Sequence, residues 1–311
     1  MINFFLFLIF LALVIKSVDF SIRYSVSVAE GLRLPKYLIG FLLIAVISVL
    51  PEAFISIASA IQNTPAFGLG TLFGSNVADL TLVFAIVVFA SRRNVKVESQ
   101  IIKNNFLYIL ALLVPLLFGF DGAYSRAEGI LLIATGIIFY FLILSKNKKT
   151  KLGNKEPFSW VHLFYLLLSM AVLLLASIFA VKFGLLLASD LKVNPILIGM
   201  LFVGLGTTLP ELIFSLKATR KKHDSLALGD ILGTVITDAT IIVGLLAVIR
   251  PFVFPSRIVF VTGIFMVAAV CLLLRFMKTG KVLNKKEALC LLLYYLFFVL
   301  IEFILSHYFG H

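Results

Sequence analysis

Charged residues are scarce in this chain. Only 14% of its 311 residues are Asp, Glu, Lys or Arg, whereas 61% are hydrophobic and the mean hydropathy is +1.13. A soluble domain does not need so much apolar surface, so most of the chain is expected to lie in lipid. The composition therefore predicts an integral membrane protein.

Cysteine and histidine are almost absent, with two Cys and four His residues. Cys271 and Cys290 lie within apolar runs, and we expect both to be small buried apolar residues, because their spacing fits neither a metal site nor a disulfide framework. No nucleophile–base pair and no His-rich metal site falls within the apolar segments. We therefore expect no enzymatic activity and no cofactor.

The balance of charge is basic, with a formal net charge of +12. Basic residues in a membrane protein normally collect in its cytoplasmic loops. The sequence has no groove-like mixture of basic and aromatic residues of the kind that binds single-stranded nucleic acid. We expect the lipid bilayer as a partner, and no nucleic acid.

Apolar runs long enough to cross a bilayer, about 20 residues each, recur along the chain. We predict ten transmembrane helices, at residues 2–20, 36–61, 66–91, 104–120, 125–145, 158–182, 195–217, 225–249, 255–275 and 286–306. The polar segment between the fifth and sixth runs is too short to fold as a domain. The predicted organisation is a first five-helix unit at 1–145, a basic cytoplasmic linker at 146–157 and a second five-helix unit at 158–311.

The positions of Lys and Arg predict the orientation. Of the 27 basic residues, 21 fall in loops on one side of the ten-helix arrangement. The positive-inside rule places those loops in the cytoplasm. We therefore expect a multi-pass protein of the plasma membrane with both termini outside.

The two halves repeat one pattern. The block from Leu38 to Asp79 recurs from Leu197 to Asp238 at a constant offset of 159 residues, and each copy contains Leu-Ile-Gly, Leu-Pro-Glu, Leu-Gly and a final Asp. Each half has five predicted helices, an odd number, so the second half must enter the membrane from the opposite side. The sequence therefore predicts an all-α fold of two inverted five-helix repeats, an arrangement in which transporters bind substrate near the middle of the membrane.

The centre of each copy contains an acidic residue directly after a proline. Glu52 follows Pro51 and Glu211 follows Pro210, in both cases well inside a predicted helix. Proline removes a helical hydrogen bond, so each helix is expected to break just before the glutamate. A carbonyl freed at membrane depth needs another partner, such as a bound cation. Acidic residues in such a position most often mark an ion pathway.

Further oxygen atoms surround these two glutamates. Asp79 and Asp238 lie in the next predicted helices, each four residues after a hydroxyl residue, so that each pair shares a helix face. Carboxylate, hydroxyl and carbonyl oxygens suit hard cations such as calcium and sodium. The predicted ligands are Glu52, Glu211, Asp79, Asp238, Ser48, Thr207, Thr208, Ser75 and Thr234.

These two segments resemble the α-repeats of the calcium/cation antiporter superfamily, and most closely those of its sodium/calcium exchangers. That family carries Gly-Thr-Ser-x-Pro-Glu followed by Gly-Asn-x-x-Gly-Ser-Asn-x-x-Asn or Asp. The second copy here reads Gly206-Thr207-Thr208-Leu209-Pro210-Glu211 and Gly229-Asp230-Ile231-Leu232-Gly233-Thr234-Val235-Ile236-Thr237-Asp238. The first copy reads Ile47-Ser48-Val49-Leu50-Pro51-Glu52 and Gly70-Thr71-Leu72-Phe73-Gly74-Ser75-Asn76-Val77-Ala78-Asp79.

The resemblance implies exchange of sodium against calcium by alternating access. In that family the glutamates matching Glu52 and Glu211 bind calcium, helped by carbonyls at the positions of Ser48 and Thr207. The same glutamates, the hydroxyls beside them and the residues at the Asp79 and Asp238 positions form the sodium sites. Calcium and sodium ions are thus the implied partners, and no obligate protein partner is evident.

Three departures from the family pattern keep alternatives open. Val49 replaces a hydroxyl residue, Ile47 replaces glycine, and Asp79 stands where many exchangers have asparagine. Four carboxylates at close range cannot all stay ionised without cations, which allows a proton-coupled antiporter of the same fold. The altered 47–49 segment allows a non-transporting membrane sensor or scaffold. The Gly-Asn-Ala-x-Glu segments of the proton/calcium branch are absent.

Two further acidic residues receive lesser roles. Glu302 falls near the end of the last predicted helix, so we expect it at the membrane interface. Asp230 stands where the family has asparagine, and we expect it to cap or hydrogen-bond a neighbouring helix.

Overall fold

The computed structural model describes residues 2–31, 49–91, 93–97, 105–145, 159–220, 222 and 224–309. The whole linker at 146–157 and the first part of the second predicted helix lie outside these residues. The described helices are α1 (Ile2–Gly31), α2 (Leu50–Ile61), α3 (Pro65–Ser91), α4 (Asn105–Phe118), α5 (Arg126–Ser145), α6 (Trp160–Leu191), α7 (195–207), α8 (Leu209–Arg220), α9 (224–249), α10 (Ile258–Lys278) and α11 (Lys285–Phe309).

Seven of these segments are long and apolar enough to cross a membrane. They are Pro65–Ser91, Arg126–Ile143, Trp160–Leu191, Pro195–Arg220, Ala227–Ile249, Ile258–Lys278 and Lys285–Ser306. Three shorter apolar helices, Ile2–Ser17, Leu50–Ile61 and Phe106–Asp121, fall within or close to the remaining predicted segments. The protein is therefore a mostly helical, multi-pass membrane protein.

The backbone repeats with the same period as the sequence. Helix α2 begins at residue 50 and ends at residue 61, and α8 begins at 209 and ends at 220. Both α3 and α9 contain a five-residue π-helical turn, at Asp79–Val83 and Asp238–Ile242. Each of these features recurs after 159 residues, so the two sequence copies adopt the same local structure.

Two short antiparallel strand pairs lie in the loops. Strand β1 (Val95–Lys96) pairs with β4 (Val282–Leu283), and β2 (Ala123–Tyr124) pairs with β3 (Phe252–Val253). Each pair therefore joins a loop of the first half of the chain to a loop of the second half.

Helices α3 and α9 are the most enclosed of the candidate spans. In each of them 83% of the most apolar window is buried inside the protein, compared with 28% for α11. Large apolar side chains instead point outward from α1, α5, α6 and α11, where lipid covers them. The two helices that carry Asp79 and Asp238 thus lie in the protein interior.

Helices α1 and α6 pack together in an apolar cluster of their own. Phe7, Leu11 and Val14 of α1 are buried with Leu173 and Ala180 of α6, together with parts of α2, α3 and α7. The other helices share a separate, larger core. The α1–α6 pair is thus attached to the rest of the molecule through a limited set of elements.

The expectation for the cysteines was wrong. Cys271 on α10 and Cys290 on α11 are both exposed on the protein surface. Both helices are candidate spans, so the two thiols face the lipid. An apolar neighbourhood in the sequence identified a membrane segment correctly, but it did not distinguish its lipid face from its protein face.

Candidate ion-binding site

The four predicted carboxylates all lie inside the protein. Glu52 and Glu211 occupy the first turns of α2 and α8, and Asp79 and Asp238 are the first residues of the two π-helical turns. All four side chains are 0% exposed. π-helical turns are frequent at functional sites, and the described part of this protein has two others, at Ile198–Val203 in α7 and Ile258–Gly263 in α10.

The helix before Glu211 breaks where the proline predicts. Helix α7 ends at Thr207, Thr208 forms a turn with ψ −4°, and α8 starts at the next residue. Pro210 has no amide hydrogen to donate to the Gly206 carbonyl. Residue 48, and with it the predicted ligand Ser48, lies outside the described part of the chain, so the corresponding break before Glu52 stays a prediction.

The carboxylate oxygens have no hydrogen-bond partners. Both oxygens of each of Glu52, Asp79, Glu211 and Asp238 are buried and accept no hydrogen bond from the residues that the structure describes. Leaving a buried polar group unsatisfied costs about 1–3 kcal/mol, and more for a charged group. A cation or a proton bound at these eight oxygens would offset that cost.

The four carboxylates also act on one another. Glu52 lies within electrostatic range of Asp79, Glu211 and Asp238, and Asp79 of Glu211 and Asp238. Among the described residues, however, no three His, Cys, Asp or Glu side chains converge closely enough to hold a metal ion by themselves. A cation at this cluster would therefore need hydroxyl or carbonyl oxygens in addition.

The predicted hydroxyl ligands are available for that purpose. Thr207, Thr208 and Ser75 donate to carbonyls of Gly204, Leu205 and Leu72 at 3.0–3.1 Å, each within its own helix or one turn earlier. A hydroxyl that donates its hydrogen keeps its lone pairs free to accept. The Thr234 hydroxyl is buried and has no hydrogen-bond partner among the described residues. The Thr207 hydroxyl lies close enough to act on the Glu52 carboxylate, while its own hydrogen goes to the Gly204 carbonyl.

Glu302 is buried against α10. Its side chain is 2% exposed, and its carboxylate accepts a hydrogen bond of 2.5 Å from Thr262 on α10. Helix α11 continues to Phe309, so Glu302 lies seven residues, about 10 Å, from the helix end. Its expected position at the membrane interface stays a prediction.

Asp230 lies closer to the site than expected. It is 5% exposed on α9, two turns before Asp238, and its charge acts on Asp79 and Glu211. Its spacing of four residues from Thr234 was the sequence signal that could have placed it on the same helix face.

This chain is similar to known proteins in both sequence and fold. The family model described as "Sodium/calcium exchanger protein" matches residues 2–145 and 161–304. The putative antiporter CaxA of Alkalimonas amylolytica is 31% identical over 302 residues, which cover 92% of this chain and 93% of that protein.

Two solved structures have a similar fold. The H+/Ca2+ exchanger CAX has a TM-score of 0.76 at 15% identity, covering 98% of this chain and 86% of its own. The sodium-calcium exchanger NCX_Mj has a TM-score of 0.68 at 22% identity, covering 95% of this chain and 97% of its own. The family match spans almost the whole chain, and the protein therefore belongs to the sodium/calcium exchanger family of membrane antiporters.

Proposed function

We propose that this protein exchanges calcium for sodium across the plasma membrane by alternating access at the four-carboxylate cluster. The observation that carries this proposal is the set of eight buried carboxylate oxygens without hydrogen-bond partners. Carboxylate and hydroxyl oxygens are the ligands that calcium prefers. The ion ligands are Glu52, Glu211, Asp79, Asp238, Thr207, Thr208, Ser75, Thr234 and Ser48.

Competition for shared ligands explains why transport would be an exchange. Calcium brings two positive charges to the cluster, whereas sodium ions bring one each, and both need the same glutamates. Occupancy by one ion therefore displaces the other. The protein can change the side of the membrane to which the cluster is open only when enough positive charge is bound. Uncompensated carboxylates at membrane depth are too costly.

The proposed architecture has ten transmembrane helices in two inverted five-helix repeats, with both termini outside. The recurrence of helix ends and π-helical turns after 159 residues supports the repeat. The separate apolar cluster of α1 and α6 supports a helix pair that moves against the remaining core.

A proton-coupled calcium antiporter is the second candidate. Two observations favour it: the fold is similar to that of the H+/Ca2+ exchanger CAX, and Val49 supplies no side-chain oxygen beside Glu52. In that case a proton on one carboxylate takes the place of a sodium ion.

Calcium-45 uptake into proteoliposomes distinguishes these functions. A sodium gradient and a proton gradient are imposed separately on vesicles containing the purified protein. Uptake that requires an outward sodium gradient supports sodium/calcium exchange, and uptake that requires only the proton gradient supports the second candidate. No uptake under either gradient, by protein that is folded, would contradict both.

A further inference from the structure

Tyr140 joins α5 to the helix that carries Asp238. Its hydroxyl lies 2.9 Å from the Gly233 carbonyl oxygen and 2.5 Å from the Thr237 hydroxyl. The Thr237 hydroxyl itself donates to the Gly233 carbonyl at 2.9 Å. Three polar groups on two helices thus form one compact hydrogen-bonded cluster, which we call the Tyr140 brace.

The brace lies directly before the π-helical turn. Thr237 is the last α-helical residue, and Asp238 starts the turn. In a π-helical turn the hydrogen bonds run from residue i to i+5, so the direction of the Asp238 side chain depends on how the preceding carbonyls are held. The Gly233 carbonyl is in that preceding turn, next to Thr234. The brace therefore fixes the backbone that presents two of the ion ligands.

The first copy has no equivalent brace. The positions that correspond to Tyr140, Gly233 and Thr237 at the 159-residue offset hold no hydroxyl group: they are Val299, Gly74 and Ala78. At Gly74 the backbone of α3 instead packs against the main chain of α7, where an added Cβ would come 2.2 Å from the Met200 carbonyl oxygen. Asp79 and Asp238 occupy equivalent positions but are held by different contacts.

We infer that Tyr140 is a positioning residue for the second-copy half of the ion site, where it holds Asp238 and Thr234 in the geometry that selects calcium over larger divalent cations. This inference rests on the proposed function. Selection between divalent cations depends on cavity size, ligand number and the rigidity of the ligands. A site whose ligands are less firmly held accepts a larger ion at less relative cost.

The test compares Tyr140→Phe with wild-type protein in calcium-45 uptake, with barium as the competing ion. Loss of one hydroxyl is expected to raise the apparent KM for calcium about three- to tenfold, as the net energy of one buried hydrogen bond implies. The preference for calcium over barium should decrease at the same time, while the Vmax for calcium should change less than its KM. A residue that served folding alone would lower the amount of active protein and leave this preference unchanged.

Three matched variants make the result specific. Tyr295→Phe is the control, because Tyr295 is a buried tyrosine on α11 that packs against Phe298, and it should behave as wild type. Thr237→Val should reproduce the effect of Tyr140→Phe and provides the test if that variant does not fold, whereas Thr237→Ser should retain wild-type preference.

The failure of this inference is separable from failure of the proposed function. An unchanged calcium KM and barium preference in both Tyr140→Phe and Thr237→Val would overturn the positioning role, and it would leave the exchanger intact if Glu211→Gln abolishes uptake. Normal uptake by Glu211→Gln would overturn the proposed function itself.

Discussion

Arg93 donates hydrogen bonds to both carboxylate oxygens of Asp224, at 2.6 and 2.7 Å. The same guanidinium donates to the Thr219 carbonyl in the last turn of α8 at 2.8 Å, and the Lys96 amide donates to Asp224 at 2.8 Å. Arg93 follows α3, and Asp224 is the first residue of α9. The contact therefore connects the ends of the three helices that carry Asp79, Glu211 and Asp238.

The first prediction concerns the stability that this contact provides. Burial raises the pKa of Asp224, but the Arg93 guanidinium and the Lys96 amide outweigh it and hold that pKa below its ordinary value. A carboxylate whose pKa is lower in the folded state stabilises the protein above its unfolded pKa, about 3.9, and loses that contribution as pH falls through the folded value. Arg93→Gln should cost about 1–3 kcal/mol at neutral pH.

Thermal unfolding of the detergent-solubilised protein measures this cost. The difference between wild type and Arg93→Gln should shrink as pH is lowered below about 4, because protonated Asp224 no longer pairs with Arg93. Arg220→Gln is the matched control, since Arg220 is exposed at the end of α8. A difference that stays constant down to pH 3 would contradict the assignment.

The second prediction concerns the two glutamates. Glu52→Gln or Glu211→Gln should each abolish calcium transport, because an amide cannot supply the charge that calcium requires. Neither carboxylate accepts a hydrogen bond from the described residues, so folding should survive, and unfolding without calcium should occur at an equal or higher temperature as repulsion is removed. Calcium-45 uptake and thermal unfolding measure the two effects.

Glu128 offers the control for that experiment. It caps the start of α5 by accepting hydrogen bonds from the Ser125 amide and hydroxyl at 2.7 and 2.8 Å. Glu128→Gln should transport at the wild-type rate. Near-normal calcium uptake by Glu52→Gln or Glu211→Gln would contradict the proposal that these glutamates form the central ion site.

The third prediction tests the orientation and the inverted repeat together. Ala127 on α5 and Lys286 on α11 are both exposed, and they are 159 residues apart. Inverted repeats place such equivalent positions on opposite sides of the membrane. In protein whose Cys271 and Cys290 are replaced by serine, Ala127→Cys should react with an impermeant thiol reagent outside intact cells, and Lys286→Cys should not.

The possible outcomes separate the two parts of this prediction. The reverse labelling pattern would overturn the orientation and preserve the inverted repeat. Labelling of both cysteines from one side would contradict the inverted repeat.

The sequence predicted the repeat period and the buried carboxylates because both leave a mark on residue type. A carboxylate within an apolar segment is too costly to be accidental, so Glu52, Asp79, Glu211 and Asp238 were identifiable without coordinates. The break before Glu211 followed from the missing amide hydrogen of Pro210.

Other parts of the site depend on contacts between distant segments. The π-helical turn at Asp238 packs against α5 and α4, which are distant from it in sequence. Tyr140 is far from the repeat in sequence and reaches it only in the folded protein.

The last prediction concerns the coupling ion. Val49 is 2% exposed and offers no side-chain oxygen beside the first turn of α2, while Asp79 adds an ionisable group to the cluster. A proton on a site carboxylate removes ligand charge that calcium needs, so calcium flux should fall as pH is lowered.

Two substitutions separate the contributions of these residues. Asp79→Asn should reduce the pH dependence of calcium flux, because the amide has no titratable proton, and Val49→Ser should raise the apparent affinity for sodium, because it adds an oxygen ligand. Both are measured by calcium-45 flux at pH values between about 6 and 8, a range in which a perturbed carboxylate can titrate. If wild-type flux follows the sodium gradient and does not change over that range, Asp79 is not a proton site. Sodium alone would then drive the exchange, and the proton-coupled candidate would be excluded.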